Sequence, residues 1–216
     1  MRKRIVIFCE GQSEIAYVEQ LNAFLLNWAE NSMPFIVFIP INTGGGRFGN
    51  VQTAMRENFM KRINRKIWVD YDLYHPCRPD NCCEEYRNRL RHIPPFHFSF
   101  HNFEDFLILH YPLGHLRKWA LEFGNTGHSN NPLHDEEYAP HFQKIIPGYK
   151  KGALPLNFIN AESLGNLKQN LSKRPIKPHE DPEFLDFAQF LLDELEAAHP
   201  EFFYPPKPHP PQAKRA

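Results

Sequence analysis

Three acidic residues lie just beyond two apolar segments that are typical of buried strands. Glu10 follows residues 5–8, and Asp70 and Asp72 follow residues 67–69. Side chains at i and i+2 of an extended backbone point the same way, so the three carboxylates converge if the two strands are neighbours. Ionised carboxylates packed together repel one another unless a cation neutralises them. Mg²⁺ or Mn²⁺ suits such a site, because these hard ions bind carboxylate oxygens and share their ligand shell with phosphate.

Phosphoryl transfer is the chemistry that uses this arrangement. One or two metal ions polarise the scissile phosphate, activate water and stabilise the leaving oxygen, and Glu10 would be a metal ligand or the general base. Each acid also has a structural alternative. Glu10 can favour the start of the next helix through its negative charge, and Asp70 and Asp72 can be ordinary turn residues. Their joint placement favours the metal site.

Strands and helices alternate along the first half of the chain and must position these acids. The predicted strands are residues 5–8, 35–41, 67–69 and 96–100. Helices are indicated by apolar stripes at Ile15, Val18, Leu21, Leu25 and Trp28 and at Val51, Met55, Phe59 and Ile63, and by helix starts at Asn81 and Asn102. Gly11 would allow a sharp turn from the first strand into its helix. Such alternation predicts a mostly parallel sheet with helices on both faces, which binds ligands at the carboxyl ends of its strands.

Periodicity weakens beyond Pro112. Residues 124–140 are polar and rich in turn formers, which predicts a surface excursion. The next clear element is a helix beginning at Asp181 and Pro182, with an inward face of Leu185, Ala188, Leu191 and Leu195. We therefore predict one α/β domain over residues 1–200, including a C-terminal helical addition, and a flexible proline-rich tail over residues 201–216.

Composition supports one main domain and excludes several classes of protein. The chain has 216 residues, of which 42% are hydrophobic. Its 25 Lys and Arg residues balance 25 Asp and Glu residues, so net charge indicates attraction neither to nucleic acid nor to an anionic membrane. No apolar run reaches the ~18 residues of a membrane span. Four cysteines without a disulfide framework predict free thiols and a cytoplasmic location.

Several motifs resemble a known family. The order Glu-Gly in "CEGQSE" and Asp-x-Asp in "VDYD" resembles the TOPRIM fold of topoisomerases, primases and OLD-type nucleases. Over roughly residues 4–200, the segments "IVIFCEGQSEIAYVEQL", "IWVDYDLY", "HNFEDFLILHY" and "IPGYKKG", with a triple-glycine loop, resemble RloB. RloB is a small TOPRIM-like protein of bacterial restriction and phage-defence loci.

This resemblance implies a TOPRIM- or Rossmann-like fold and a Mg²⁺-dependent nuclease that cleaves DNA or RNA in phage defence. It implies metal binding by Glu10, Asp70 and Asp72, and a second metal or a positioning role for Glu104. A lysine at 150 or 151, with Lys151 preferred, would stabilise charge on the phosphate. The structural alternatives are a helix-start role for Glu104 and simple solvation of the lysines.

A competing functional interpretation keeps the fold without the catalysis. The protein would then be a non-enzymatic effector or regulatory subunit of a defence complex, working through a partner such as an ATPase. No oligomeric state is predicted.

A glycine pattern raises dinucleotide binding as another alternative. Gly44, Gly46 and Gly49 fit G-x-G-x-x-G, and Asp70 follows 21 residues after Gly49. A complete strand–helix unit precedes this loop, however, whereas the dinucleotide fingerprint follows the first strand of its unit. A loop that approaches a nucleic-acid backbone through its amides and Arg47 is the other interpretation.

Two further groups of residues are weaker candidates. Zinc ligands could come from His75, Cys77, Cys82 and Cys83, but the paired spacing of zinc sites is missing. Two basic clusters could follow a phosphate backbone or could simply be solvated. They consist of Arg56, Lys61, Arg62, Arg65 and Lys66, and of Arg87, Arg89 and Arg91.

Overall fold

The computed structural model describes residues 2–29, 34–58, 63–74, 82–89, 93–125, 135–173 and 185–203. The strands are β1 (Lys3–Cys9), β2 (Ile36–Asn42), β3 (Asn64–Asp70), β4 (Phe96–Ser99) and β5 (Leu185–Asp186). The helices are α1 (Gln12–Trp28), α2 (Phe48–Glu57), α3 (Cys83–Arg89), α4 (Phe103–Leu107), α5 (Leu113–Asn125), α6 (Asp135–Ile145), α7 (Ala161–Leu171) and α8 (Phe187–Ala198). The strands form one sheet in the order β2-β1-β3-β4-β5, and every neighbouring pair is parallel. The predicted α/β class with a parallel sheet is confirmed.

Helices cover both faces of the sheet, which explains why β1 is a continuous apolar run. Ile5 and Ile7 pack into a core with α1 and α8, whereas Val6 and Phe8 pack into a second core with α2 and α3. Both faces of such a strand contact apolar helices, so its residues do not alternate between apolar and polar. The first core is the larger one, because α4 to α7 add their buried faces to it.

Trp68 on β3 anchors the larger core. Its ring stacks on Phe187 of α8 with centroids 3.8 Å apart and an interplanar angle of 6°. Its indole N–H donates to Ser99 Oγ on β4 at 2.8 Å. Stacking therefore ties α8 to the centre of the sheet, while the hydrogen bond satisfies the only polar atom of a fully buried side chain.

Replacing Ser99 with alanine should lower the free energy of unfolding by about 1–3 kcal/mol, because the buried indole N–H would lose its acceptor. Urea unfolding followed by tryptophan fluorescence measures this loss. Ser172→Ala is the control, since Ser172 is exposed and its hydroxyl bonds only to the nearby Gln169 carbonyl. Equal stability of the two variants would contradict the role given to Ser99.

Strand β2 forms one edge of the sheet, and its free side has few available hydrogen-bonding groups. The Asn22 side chain accepts from the Phe38 N–H at 3.1 Å and donates to the Phe38 carbonyl at 2.6 Å. Phe38 therefore points its backbone groups away from β1. Pro40, two residues on, has the same backbone direction and lacks an N–H.

The structure corrects two predicted element boundaries, the end of the second helix and the start of the C-terminal helix. Helix α2 ends at Glu57, with Asn58 bonding back to the Ala54 carbonyl, so Ile63 is not part of its apolar stripe. Phe59 lies outside the described residues. Leu185 belongs to the short strand β5 rather than to a helix, and Asp186 caps α8 by accepting from the Ala188 N–H at 2.9 Å.

Three helices, α5, α6 and α7, occupy the region in which we expected no regular element before residue 181. Pro140 lies inside α6, where a proline usually indicates a break. The start of α7 had a readable signal, because Asn160 and Ser163 bond reciprocally in a capping box. The C-terminal helical addition is thus larger than the sequence indicated.

The predicted free thiols are confirmed for two of the four cysteines. Cys9 and Cys82 are buried free thiols, while Cys77 lies outside the described ranges. Asn81, Asp181, Pro182 and the tail from residue 204 onward also lie outside them. No helix in these ranges combines the length and apolar character needed to cross a membrane.

Candidate functional site

The site lies at the topological switch point of the sheet, where successive connections move across the sheet in opposite directions. Strands β1 and β3 are neighbours, yet α1 connects β1 to β2 over one face and α2 connects β2 to β3 over the other. Connections that leave in opposite directions open a crevice at the carboxyl ends of the two central strands. Glu10 and Asp70 stand at these two ends.

Glu10 and Asp70 lie at the ends of neighbouring strands and are directly connected by a hydrogen bond. The Asp70 backbone N–H donates to Glu10 Oε2 at 2.8 Å, and the Glu10 N–H donates to the Trp68 carbonyl at 3.1 Å. From the other side, the Gly45 N–H donates to the Glu10 carbonyl at 2.9 Å. The backbone of Glu10 is therefore fixed by β3 and by the glycine loop, residues 43–47.

Gly46 provides the space that the Glu10 carboxylate occupies. A Cβ atom built on Gly46 would lie 2.6 Å from Glu10 Oε2 and 2.8 Å from Leu73 Cδ1. The Tyr74 hydroxyl donates to the Gly46 carbonyl at 2.6 Å, and burial, the largest cause, keeps the pKa of Tyr74 well above its usual value. Gly11, in contrast, has an extended backbone with φ −151° that any residue can adopt. The glycine that leaves room for the Glu10 carboxylate is therefore Gly46, not Gly11.

Four carboxylates line one cleft of about 210 Å³ at this crevice. They belong to Glu10, Glu14, Asp70 and Glu104, and Lys151 lines the same cleft. Glu14, Asp70 and Glu104 are buried, while Glu10 is half-buried and Lys151 is exposed. The structure thus brings together four of the five predicted site residues, and it adds Glu14.

Glu14 was missed because its sequence signal indicates a structural role. It is the acidic member of a capping box, in which the Gly11 N–H donates to Glu14 Oε2 at 3.0 Å. Its carboxylate nevertheless also lines the cleft. Burial and then the negative charge of Glu14 raise the pKa of Cys9 well above its ordinary value.

Glu104 enters the cleft from α4, a short helix that starts after β4. Asn102 caps this helix by accepting from the Asp105 N–H at 3.0 Å, as the sequence predicted. The Tyr149 hydroxyl donates to Glu104 Oε1 at 2.8 Å. Burial first, and then the charges of Glu104, Asp70 and Glu14, raise the pKa of Tyr149, so its hydroxyl stays protonated.

Lys151 is carried by a tight turn, residues 150–153, which we call the lysine turn. Lys150 and Ala153 pair as an isolated bridge, and Gly152 has φ +77°, a conformation that favours glycine. The Gly152 N–H donates to Ser13 Oγ at 3.1 Å. Of the two candidate lysines, Lys151 lines the cleft and Lys150 does not.

Asp72 occupies a different position from the one the sequence suggested. Strand β3 ends at Asp70, and Asp72 begins a 3-10 turn over Asp72–Tyr74. The Asp72 N–H donates to the His101 carbonyl at 2.9 Å, and the Asp72 side chain is buried. The extended backbone assumed from Asp70 to Asp72 is therefore not present, and Asp72 is not among the residues that line the cleft.

The cleft has the donor chemistry of a Mg²⁺ site without a closed cage. Among the residues that the structure describes, no three His, Cys, Asp or Glu side chains are grouped so as to hold a metal ion. Mg²⁺ usually binds through one or two carboxylates and completes its shell with waters and substrate phosphates. Glu10 and Asp70 both line the cleft, so their two carboxylates would meet that requirement.

The dinucleotide alternative is weakened by the position of the glycine loop. The loop follows β2, an edge strand, rather than a central strand. In the dinucleotide fingerprint, the second glycine leaves room for the pyrophosphate. Here that space beside Gly46 is filled by the Glu10 carboxylate.

The described members of the first basic cluster lie away from the cleft. Arg65 and Lys66 are near the amino end of β3, so Arg65 is five residues, roughly 16 Å, from Asp70 along the strand. Lys66 Nζ lies 4.9 Å from the Phe190 ring centroid. Outside the described residues lie Lys61 and Arg62 of the first basic cluster, Arg91 of the second, and His75 and Cys77 of the zinc candidate.

His110 is a buried structural residue near the cleft carboxylate Glu104 in the chain. It ends the 3-10 turn Ile108–His110 that continues α4. Its Nε2 lies 2.8 Å from the Tyr17 hydroxyl, and burial lowers its pKa to about 3. His110 is therefore neutral at physiological pH and does not line the cleft.

Comparisons with protein-family models, curated proteins and solved structures found no match to this chain. The RloB and TOPRIM resemblance therefore stays a prediction from the motifs.

Proposed function

We propose that the protein is a Mg²⁺-dependent nuclease with a TOPRIM-like site, which cleaves DNA or RNA in the cytoplasm as part of bacterial phage defence. The observation that supports this most is the cleft itself: Glu10, Asp70 and Glu104 come from separate segments and meet with Lys151 at the switch point of a parallel sheet. Acidic oxygens for a hard cation beside a fixed positive charge are the requirements of phosphoryl transfer. The nuclease class and the defence role come from the motif resemblance.

Glu10 and Asp70 would hold the ion, and Glu104 would supply a ligand to a second ion in the same cleft. Bound Mg²⁺ would supply positive charge that polarises the scissile phosphate. The Asp70 N–H orients the Glu10 carboxylate through its hydrogen bond to Oε2. In hydrolysis a water loses a proton as its oxygen attacks phosphorus, and the P–O bond to the leaving oxygen breaks. A carboxylate of the cleft can take the proton, while Lys151 offsets negative charge on the phosphate.

A non-enzymatic effector or regulatory subunit is the second candidate. Two cleft carboxylates already have structural partners, since Glu10 accepts from the Asp70 N–H and Glu104 accepts from the Tyr149 hydroxyl. A protein that kept the fold for partner binding, for example to an ATPase, would keep these bonds without needing catalysis.

Incubation with Mg²⁺ or Mn²⁺ should produce cleavage of labelled DNA or RNA, and EDTA should abolish it. In the absence of substrate, Mg²⁺ at about 100 times its Kd should raise the free energy of unfolding by about 2.7 kcal/mol, because it binds the folded state. Cleavage is followed on denaturing gels, and stability by thermal unfolding.

NAD(P)⁺ is the matched control for the glycine loop, and it should leave the melting temperature unchanged. Stabilisation by Mg²⁺ without cleavage of any nucleic acid would favour the regulatory candidate. If neither cleavage nor stabilisation by metal is observed, the proposed metal site is wrong.

A further inference from the structure

The Tyr149 hydroxyl connects two parts of the candidate site that are distant in the chain. It donates to Glu104 Oε1 at 2.8 Å, and Tyr149 immediately precedes the lysine turn. The ring is buried and packs edge-on against Phe142, with centroids 4.7 Å apart. The Gln143 side chain donates to the Tyr149 carbonyl at 2.9 Å. Ring and backbone are thus fixed by α6, and the hydroxyl is aimed at a cleft carboxylate.

The far side of the lysine turn has its own attachment. The Gly152 N–H donates to Ser13 Oγ in the first turn of α1. Lys151 therefore lies between two hydrogen bonds, one to the helix that carries Glu104 and one to the helix that begins after Glu10. A lysine on an unattached loop would lose much more freedom when it bound a phosphate.

Other buried tyrosines among the described residues also form hydrogen bonds through their hydroxyl groups, but with different kinds of partner. The Tyr17 hydroxyl pairs with His110, that of Tyr74 donates to the Gly46 carbonyl, and that of Tyr86 accepts from the Phe96 N–H. None of these partners is a carboxylate of the cleft. The bond to Glu104 is thus specific to Tyr149 among these four.

We propose that Tyr149 is a positioning residue that fixes the Glu104 carboxylate and the lysine turn relative to each other. This inference rests on the proposed function, because Glu104 and Lys151 act on metal and phosphate only if the cleft is catalytic. The Tyr149 hydroxyl thus couples the orientation of the Glu104 carboxylate to the position of Lys151. An uncharged donor also satisfies Glu104 without adding positive charge that would compete with a cation.

Tyr149→Phe removes the hydroxyl and keeps the ring, and it should weaken Mn²⁺ binding by the full-length protein about 10- to 100-fold. Titration calorimetry and the electron paramagnetic resonance signal of free Mn²⁺ both measure this affinity without requiring turnover. The matched control is Tyr17→Phe, which removes a buried hydroxyl from the same core but should leave Mn²⁺ affinity unchanged. A purely structural role of Tyr149 would give the two variants the same Mn²⁺ affinity.

Ser13→Ala tests the second attachment of the lysine turn. At saturating Mn²⁺ it should lower the cleavage rate without weakening Mn²⁺ binding, because Ser13 contacts the turn and not Glu104. In a double-mutant cycle, adding Tyr149→Phe to Lys151→Ala should cost less at saturating Mn²⁺ than Tyr149→Phe costs alone.

The outcomes separate this inference from the proposed function. If the native protein binds Mn²⁺ and Tyr149→Phe binds it equally well, the positioning role is wrong and the metal site stands. Additive effects of Tyr149→Phe and Lys151→Ala would also overturn the coupling. If the native protein binds no Mn²⁺, the proposed function fails first and the inference falls with it.

Discussion

Glu10→Gln should lower Mg²⁺-dependent cleavage by about 10²- to 10⁴-fold and leave the protein folded. Glutamine has the shape of glutamate, and its amide oxygen can still accept the hydrogen bond from the Asp70 N–H. It cannot take a proton from water, and it is a poorer ligand for Mg²⁺ than a carboxylate. Single-turnover cleavage and urea unfolding measure the two effects separately. Glu19→Gln makes the same chemical change at an exposed position of α1 and should have the native rate.

Asp70→Asn should have an effect of similar size, because Asp70 lines the same cleft and would be the second ligand of the proposed metal ion. Substitutions of residues that act together have strongly non-additive effects. The double variant should therefore cleave only slightly more slowly than the slower single variant. Native cleavage rates in Glu10→Gln and Asp70→Asn, with folding intact, would remove the proposed site.

Gly46→Ala should disrupt the site through packing alone, without changing a charge. Its Cβ would approach the Glu10 carboxylate oxygen to 2.6 Å, so the carboxylate, Leu73 or the loop must move. We expect a loss of about 1–3 kcal/mol in the free energy of unfolding, as for other overpacked positions. Displacement of Glu10 should also weaken Mn²⁺ binding roughly 10- to 100-fold.

Gly49→Ala is the matched control in the same glycine pattern. Gly49 lies in the first turn of α2, and a Cβ atom there would meet no atom within 4 Å. Alanine favours the helix over glycine, so this variant should be as stable as the native protein or slightly more stable. Equal behaviour of the two variants in unfolding and Mn²⁺ titration would show that the space beside Gly46 is not critical.

The parallel sheet, and the placement of Glu10 and Asp70 at the same edge of it, could be predicted because both follow from short-range rules. Apolar segments of strand length that alternate with helical stripes require crossovers, and crossovers align the carboxyl ends of the strands. Predicting the hydrogen bond from the Asp70 N–H to Glu10 would also have required knowing that β1 and β3 are neighbours. That adjacency depends on which face each helix covers, and no local pattern specifies it.

The remaining parts of the site depend on tertiary contacts. The expected extension from Asp70 to Asp72 ends because the Tyr74 N–H bonds to the Tyr71 carbonyl and tightens the chain into a turn. Tyr149 and Ser13 had no signal, since their roles arise from partners 45 and 139 positions away in the chain. The resemblance to RloB gave Glu104 and Lys151, and both line the cleft.

The two edges of the sheet bear on how the protein behaves at high concentration. An exposed strand normally offers a template for pairing with another molecule. On β2, however, the outward groups of Phe38 are taken by Asn22, and Pro40 has no hydrogen to donate. At the opposite edge, β5 is only two residues long. Within the described part of the chain, intermolecular strand addition is therefore disfavoured at the middle of β2 and at β5.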